Sequence, residues 1–469
     1  MSAVFDDPNL VSSPGLVPTM ALAQLAGMEE LAARHLSIPT DKGANAGLKV
    51  CSLVAGMVAG ADSIDDMALL RHGAMSKVFT NAYAPSTLGS FLRSFTFGHV
   101  RQLDAVAARF LTRLSEDAPL VTGLVTGVDD ADGYVLVDID DTIIEVHGYT
   151  KQGSGYGYSG VRGLNALLAT LTTKQSAPVI IGQRLRKGAC GSPRGANRLV
   201  ADALNTVQTL STNRSGNRSG TKPLLRADSA FYGHEVVGTA LRKGAEVSIT
   251  VRMDKKVKAA IATIPEQAWT KIKYTDAIFD EETGQWISKA EVAETEFTAF
   301  SSKKKHQQVT GRLVVRRIPD LNPKAESAQA TLFDTWRFHA FFTTTDPEVM
   351  DTVRGDKAHR GHAIIEQVHA DLKNSAIAHL PSASFSANSA WLVLAVIAFN
   401  LTRAAGTLAG TDMAKATTAT VRRKLINVAA RITSSARRIT IHLPVDWPWE
   451  REWCQLFTRV CRPPPAVAT

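Results

Sequence analysis

Three aspartates interrupt a run of residues that otherwise has the composition of a buried β-strand. Residues 135–146 (VLVDIDDTIIEV) are mostly β-branched and are apolar on both faces, a pattern typical of central strands in layered α/β sheets. Residues two apart in a strand share a face, so Asp138 and Asp140 are predicted on one side and Asp141 on the other. Buried carboxylates are costly unless they are paired, protonated or bound to a metal. The run predicts either a cation site or a strand that ends near Ile139 and leaves the acids in solvent.

The segments that follow alternate between strand and helix patterns. Strands are predicted at residues 178–184, 223–228 and 246–252, and helices at 194–210 and 235–243. This order indicates an α/β layer fold. Residues 254–335 break the alternation with short strand-like runs and polar turns, which indicates a β-rich insertion. Residues 336–343 (WRFHAFFT) then predict a strand that returns to the main sheet.

Helical patterns dominate both ends of the chain. Residues from about 15 to 125 predict helices, one of which begins at Pro85-Ser86. Two more helices are predicted at 359–373 and 387–402, before a basic, helical C-terminal region. The longest apolar run, 391–399, is too short to cross a bilayer, so no membrane partner is expected. The predicted divisions are a helical N-terminal domain (1–125), an α/β catalytic domain (126–253 and 336–405), the β-rich insertion (254–335) and the basic region (406–469).

A further aspartate, Asp228, stands at the end of the short apolar strand 223–228. In open α/β sheets, ligands collect at the carboxyl ends of the strands, which favours a functional interpretation. An aspartate in this position is also a good cap for the helix that follows. The sequence alone leaves both interpretations open.

Five polar residues share one predicted helix face because they are spaced by three, four, three and four positions. They are His359, His362, Glu366, His369 and Lys373. A solvated face is the ordinary explanation of such a stripe, and a zinc site is disfavoured because the His-Glu-x-x-His arrangement is missing. Together with the aspartates, the stripe predicts an oxygen-rich site for Mg²⁺. Two such ions, about 3.5–4 Å apart, can drive phosphoryl transfer.

The charge balance favours a polyanionic partner. The chain of 469 residues has 53 Lys and Arg against 44 Asp and Glu, a net charge of +9, which is typical of proteins that bind nucleic acid or anionic membranes. The four cysteines lack Cys-x-x-Cys spacing, which fits a reduced, intracellular setting. Candidate DNA-binding residues are Arg184, Arg186, Lys187, Arg194, Arg198, Arg422, Arg423 and Lys424. These residues form two clusters, one between 184 and 198 and one at 422–424. Each cluster is equally consistent with a solvated surface.

Three motifs, in this order, resemble those of bacterial insertion-sequence transposases. Residues 138–142 (DIDDT), followed by VHG at 146–148, resemble the first-aspartate motif, Asp-x-Thr. Residues 226–232 (RADSAFY) resemble the second-aspartate motif, and 359–366 (HRGHAIIE) the helix with the third carboxylate. The chain is most similar to the insertion-sequence family named thirteen-eighty, within the DDE transposases. The resemblance covers nearly the whole chain.

The resemblance implies an RNase H-like catalytic domain whose metal ligands are Asp140, Asp228 and Glu366, holding Mg²⁺ or Mn²⁺ as two ions. Asp141 is the alternative for the first acid. Asp138 is expected beside Asp140, on the same face of the strand, as its partner. Related families carry a Tyr-Arg-Glu-Lys signature around the third acid. Glu366 and Lys373 keep that spacing, His359 and His362 occupy the Tyr and Arg positions, and Arg360 is an alternative source of the positive charge.

The resemblance also implies an activity. The expected protein is a transposase that binds the inverted repeats at the ends of its element and cuts them. It then joins the 3′ ends to target DNA by a cut-and-paste route through a hairpin, as a homodimer in the bacterial cytoplasm, at the nucleoid. Two alternatives stay open: a nuclease of the same fold without strand transfer, and a transposase-derived DNA-binding protein without catalysis.

Overall fold

The computed structural model describes residues 1–39, 41–121, 133–172, 177–212, 221–275, 277–281, 285–287, 289–319, 336–435 and 438–461. The predicted boundary between residues 125 and 126 lies outside these ranges.

The helices are α1 (Leu16–Leu25), α2 (Met28–His35), α3 (Ala46–Ala59), α4 (Met75–Val78), α5 (Pro85–Arg93), α6 (Phe97–Asp117), α7 (Ala196–Leu210), α8 (His234–Arg242), α9 (Lys255–Ala262), α10 (Thr352–Arg360), α11 (Ile364–Lys373), α12 (Phe385–Ala409), α13 (Thr411–Ala414), α14 (Thr418–Val421) and α15 (Glu450–Val460). The strands are β1 (Leu10–Val11), β2 (Tyr134–Glu145), β3 (Gly155–Tyr156), β4 (Arg162–Thr172), β5 (Val179–Lys187), β6 (Lys222–Ala227), β7 (Glu246–Thr250), β8 (Thr270–Lys271), β9 (Ile278–Asp280), β10 (Gln285–Ile287), β11 (Glu291–Ala299), β12 (Val309–Pro319), β13 (Trp336–Thr343), β14 (Ala430–Ser435) and β15 (Arg438–His442).

One large mixed sheet organises the molecule. Its strands lie in the order β5-β4-β2-β6-β7-β13-β12-β11-β8, and the short strand β3 pairs with β4 beside β5. Strands β5, β4 and β2 are antiparallel neighbours, whereas β6 and β7 run parallel to β2. The run of residues with three aspartates therefore forms a central strand, as its apolar faces predict. The overall class is mixed α/β, with helices packed on the sheet.

The region between α9 and β13 extends this sheet. Strand β13 pairs with β7 over Phe341–Thr343, and β12, β11 and β8 add to it in antiparallel order. The strand predicted at residues 336–343 has these bounds in the structure and does join the main sheet. The described strands of the insertion therefore continue the hydrogen-bonded ladder, apart from the small hairpin of β9 and β10.

The apolar helix α12 forms the centre of the core. It is buried along nearly its whole length, and the N-terminal helices share one continuous hydrophobic core with it and with the sheet. The indole Nε1 of Trp391 donates to the carbonyl of Ala376 (2.6 Å). By length and composition α12 could cross a membrane, but 94% of its most apolar 18-residue window is buried inside the protein. Burial of this kind is expected for the central helix of a globular core.

One polar side chain of α12 completes an edge of the sheet. Asn400 is buried; its Oδ1 accepts from the amide of Ile180 (2.9 Å) and its Nδ2 donates to the carbonyl of Ile180 (2.8 Å). Ile180 lies in β5 next to a register shift in its pairing with β4. The side-chain amide thus pairs backbone groups that face away from β4.

We expect Asn400→Ala to lower the free energy of unfolding by about 2–4 kcal/mol, because a buried N–H and a buried C=O lose their partners. Chemical denaturation of the whole chain measures this difference. The matched control is Asn205→Ala on the exposed surface of α7, for which a change within about 0.5 kcal/mol is expected. Equal losses in the two variants would contradict the role given to Asn400.

The C-terminal region differs from the all-helical expectation. Strands β14 and β15 form a hairpin, and β1 near the N-terminus pairs with β14. The β-branched residues of 430–442 (ARITSSARRITIH) explain the difference, because Ile and Thr pack well on a pleated surface. This three-stranded sheet ties the two ends of the chain together.

Candidate active site

Two aspartates lie where the parallel strands β2 and β6 stop pairing, Asp140 within β2 and Asp228 directly after β6. The register pairs Asp138 with Arg226 and Ile139 with Ala227, so Asp140 and Asp228 come next on their respective strands. Both line a cleft of about 1350 Å³. Asp228 also accepts a hydrogen bond from the amide of Ala230 (2.9 Å) and caps the turn after β6. The capping and the functional interpretations of Asp228 therefore both apply.

The three aspartates of β2 have different partners. Asp138 is fully buried and receives two hydrogen bonds from the guanidinium of Arg226 (2.7 Å each). Asp141 pairs with Arg186 (2.8 Å) and also accepts from the side-chain amide of Asn165. Asp140 accepts from the backbone amide of Asp141 (2.8 Å). Within the described residues, Asp140 is the aspartate of β2 that has no arginine partner.

The pKa values follow these surroundings. Burial tends to raise the pKa of Asp138, but the charge of Arg226 and a hydrogen bond with His362 Nδ1 (2.9 Å) outweigh it and lower that pKa. Burial raises the pKa of Asp140 to about 6, and the nearby charges of Asp228 and Asp141 add to the effect. Burial also raises the pKa of Asp228. Burial and neighbouring acids thus disfavour the ionised forms of Asp140 and Asp228, and a bound cation would favour them.

The polar helix predicted at residues 359–373 is divided in the structure. Helix α10 ends at Arg360, a short 3₁₀ turn covers Gly361–Ala363, and α11 begins at Ile364. The guanidinium of Arg226 donates to the carbonyls of Ala358 and Gly361, which would otherwise accept from the next helical turn. A Cβ on Gly361 would lie 2.8 Å from Arg226 Nη1. The break therefore results from the close approach of a buried arginine, and it requires glycine.

Three residues of the predicted polar face do point toward β2. His362 contacts Asp138, His369 Nδ1 lies 3.7 Å from Asp140 Oδ2, and Lys373 lines the cleft with Asp140 and Asp228. Glu366 lies on the same side of α11, one turn before His369, and its side chain is exposed. The lining of the cleft includes Lys373 but not Glu366.

His359 and Arg360 have other partners. The ring nitrogens of His359 lie 2.9 Å from the hydroxyls of Ser248 and Thr250, and its ring stacks on Phe341 at 4.1 Å. Burial lowers the pKa of His359 to about 3, so the ring is neutral at physiological pH. Arg360 Nε donates to Asp356 (2.8 Å). The structure thus gives both residues contacts outside the cleft, and they hold α10 in place.

The cleft offers some of the ligand atoms that suit a hard divalent cation. Asp140 and Asp228 offer carboxylate oxygens, which Mg²⁺ and Mn²⁺ prefer. Among the described residues, however, no three Asp, Glu, His or Cys side chains come close enough together to chelate an ion. The structure therefore brings two of the three predicted ligands together, with Glu366 on the neighbouring helix.

The predicted DNA-binding residues divide into paired and exposed groups. Arg184 contacts Asp104 (2.9 Å) and Asp202, and Arg186 contacts Asp141. Arg422 donates to the carbonyl of Val58 (3.2 Å). These three arginines hold elements of the fold together and are not free for a phosphate. Lys424 lies 4.4 Å from the ring centroid of Trp449, and the exposed members are Lys187, Arg194, Arg198 and Arg423.

Three residues near the cleft had no predicted role: Arg226, Arg252 and Asn165. Arg226 is 1% exposed, and Arg252 is exposed and lines the cleft beside Asp228. A signal for Arg226 is visible in the sequence, since an arginine stands inside the apolar strand 223–228. A buried arginine requires a buried acid, and Asp138 on the neighbouring strand is that acid.

Fold and cleft together define a mixed α/β protein with two carboxylates in one cleft, one within β2 and one directly after the neighbouring parallel strand β6. A family model described as transposase DDE domain, group 1, matches residues 1–465. The chain therefore belongs to the DDE transposases, a family of enzymes that cut and transfer DNA. Members of this family generally use divalent metal ions. No curated protein matches the chain.

Proposed function

We propose that this transposase binds the terminal inverted repeats of its own insertion sequence, cuts the DNA there and joins the freed ends to target DNA. The observation that carries the proposal is the placement of Asp140 and Asp228 in one cleft, where neither forms an ion pair with a lysine or arginine of the described residues. Two carboxylates placed close together repel each other, which is costly in a fold that has no use for their charge. A bound divalent ion would neutralise the charge of the two carboxylates and would in turn hold a DNA phosphate.

The sheet topology favours an RNase H-like catalytic domain. Three antiparallel strands (β5, β4 and β2) are followed by two strands (β6 and β7) parallel to the central one, with the acids on β2 and directly after β6. The sequence motifs favour a bacterial element of the insertion-sequence family named thirteen-eighty. On this basis we propose the cytoplasm, at the nucleoid, as the place of action, and a homodimer on DNA.

The residues of the cleft have separate parts in the proposed reaction. Asp140, Asp228 and Glu366 would hold the metal ions, which when bound activate the attacking oxygen and stabilise the leaving one. Lys373 and Arg252, both in the cleft lining, neutralise the phosphodiester and orient it. The buried Asp138–Arg226 pair fixes the relative positions of β2, β6 and the turn before α11.

The test is a cleavage and strand-transfer assay on duplexes that carry the inverted repeats flanking the gene, with Mg²⁺. We expect Asp228→Asn to lower both rates on the order of 10³-fold or more, because a metal ligand loses its charge. Asparagine is an equally good cap, so the turn after β6 stays intact and end binding is retained. The matched control is Asp351→Asn, which alters the cap of α10 and should leave both rates near those of the wild type.

The products distinguish the alternatives. Hydrolysis of the ends without joining would favour a nuclease of this fold over a transposase. End binding without any metal-dependent cleavage by the wild-type chain would favour a DNA-binding protein that has lost catalysis. Wild-type cleavage by Asp228→Asn would overturn the assignment of the site.

A further inference from the structure

A second basic surface lies outside the clusters that the sequence singled out. The turn between β11 and β12 and the neighbouring helix α9 carry six exposed lysines, here called the lysine turn surface: Lys255, Lys256, Lys258, Lys303, Lys304 and Lys305. Lys256 Nζ donates to Ser301 Oγ (2.8 Å), which ties the helix to the turn. In the part of the chain that the structure describes, none of the six forms an ion pair with a carboxylate. Asp254 precedes α9 as its N-cap, and its side chain accepts hydrogen bonds from the backbone amides of Lys256 and Val257.

The turn that carries the lysine turn surface packs against residues that follow the candidate metal ligand Asp228 in the chain. Phe300, at the start of the turn, packs its ring 5.1 Å from that of Tyr232 and 6.3 Å from that of His234. Gln307, at the other end of the turn, lies 3.3 Å from the ring of His234. Tyr232 and His234 are four and six residues after Asp228. The turn therefore packs against the segment that leads from Asp228 into α8.

The backbone of the turn is fixed in an unusual conformation. Phe300 has a φ of 58°, a left-handed conformation that is unfavourable for a residue with a Cβ. The aromatic contacts with Tyr232 and His234 offset that cost and hold the ring. On the other side, Arg252 in the cleft lining is followed by α9 with its lysines. Arg252 of the cleft lining and Lys255 of α9 are thus three positions apart in the chain, with Asp254 between them.

We propose that the lysine turn surface binds the sugar–phosphate backbone of duplex DNA where it leaves the cleft. Closely spaced ammonium groups without carboxylate partners are suited to a polyanion, and each is a point charge that contacts phosphate without reading sequence. The inference rests on the proposed function, because it takes the DNA in the cleft as the occupant and adds the surface that holds its flank.

The experiment measures the affinity for a precleaved inverted-repeat duplex over a range of salt concentrations, with the full chain. Each phosphate contact contributes about 0.9 to the slope of log K against log salt for duplex DNA. We expect Lys304→Ala/Lys305→Ala to reduce the magnitude of this slope by about 1.8. A mixed-sequence duplex of equal length should show the same reduction, because backbone contacts are independent of sequence.

The matched control is Lys271→Ala/Lys289→Ala. These two lysines are exposed and lie at the opposite end of the same hairpin, where Lys271 pairs with the first residue of β11. Both double variants lose the same net charge. If the slope of the control is unchanged, the loss of slope in Lys304→Ala/Lys305→Ala is due to the position of these two lysines. Equal slopes for the two double variants would overturn the inference. Failure of the proposed function gives a different result, since the wild-type chain itself would then show no salt-dependent affinity for the duplex.

Discussion

Asp140→Asn is expected to abolish Mg²⁺-dependent DNA cleavage and, at the same time, to make the metal-free protein more stable. The loss of a charged metal ligand should lower the rate on the order of 10³-fold or more. The gain in stability follows from the pKa, which burial and neighbouring acids raise to about 6 in the folded chain. The unfolded value is about 4, so ionisation favours the unfolded state. The wild type should therefore lose stability as the pH rises from about 4 to 6.

Asparagine removes that ionisation, so the gain in the free energy of unfolding of Asp140→Asn over the wild type should grow as the pH rises from about 4 to 6 and stay constant above it. Thermal or chemical denaturation in the presence of a chelator measures the difference. The matched control is Asp141→Asn, which leaves Arg186 without its carboxylate and should lower stability. If Asp141→Asn is stable and inactive while Asp140→Asn cleaves DNA normally, the two aspartates have been assigned in the wrong order.

Arg226→Ala is expected to cause the largest loss of stability. Removal of the guanidinium leaves Asp138 buried without its partner and frees the carbonyls of Ala358 and Gly361. Breaking one side of a buried ion pair costs about 3–5 kcal/mol. Urea denaturation of the whole chain measures the change in the free energy of unfolding.

Two controls separate the buried pair from a general effect of losing arginine. Arg34→Ala breaks a surface pair with Glu30, in which both side chains are at least half exposed, and should cost less than about 1 kcal/mol. The double variant Arg226→Met/Asp138→Leu should recover much of the loss, because apolar residues of similar volume often replace a buried ion pair without penalty. A loss in Arg226→Ala as small as that in Arg34→Ala would contradict the role of this pair.

The parts of the fold that local patterns determine were predictable. Strand β2 stands out because its residues are β-branched and apolar on both faces, and β13 because aromatic residues fill it. The placing of Asp138 and Asp140 on one face follows from the period of a strand alone. Their contacts with His362 of the 3₁₀ turn and His369 of α11 agree with it. Asp228 was predictable from its position at a strand end.

Strand β4 shows why other parts were not. Its sequence, RGLNALLATLT, is rich in Leu and Ala, which are good helix formers. It lies between β2 and β5 with nearly all residues buried, so tertiary pairing overrides local propensity. The break between α10 and α11 was equally hidden, because it depends on an arginine 135 positions away from Gly361.

Charged residues were the hardest to interpret from sequence. Arg184 and Arg186 look like a basic cluster, but their partners Asp104 and Asp141 come from distant segments. Lysines 303–305 belong to an ordinary polar turn in the sequence, yet Phe300 and Gln307 of that turn contact Tyr232 and His234. Whether a charge is paired depends on which strands and helices become neighbours. Sequence spacing reports neighbours only within one element.

The continuity of the large sheet from β7 to β11 has a geometric consequence. Strands β7, β13, β12 and β11 are joined by hydrogen bonds without a hinge between the described segments, so the turn and the cleft keep a constant separation. Lengthening β11 and β12 by two residues each would displace the turn by about 7 Å. That distance corresponds to roughly two base pairs of duplex, at about 3.4 Å per step. The sheet would then act as a molecular ruler that sets how far from the cut phosphodiester the flanking DNA is held.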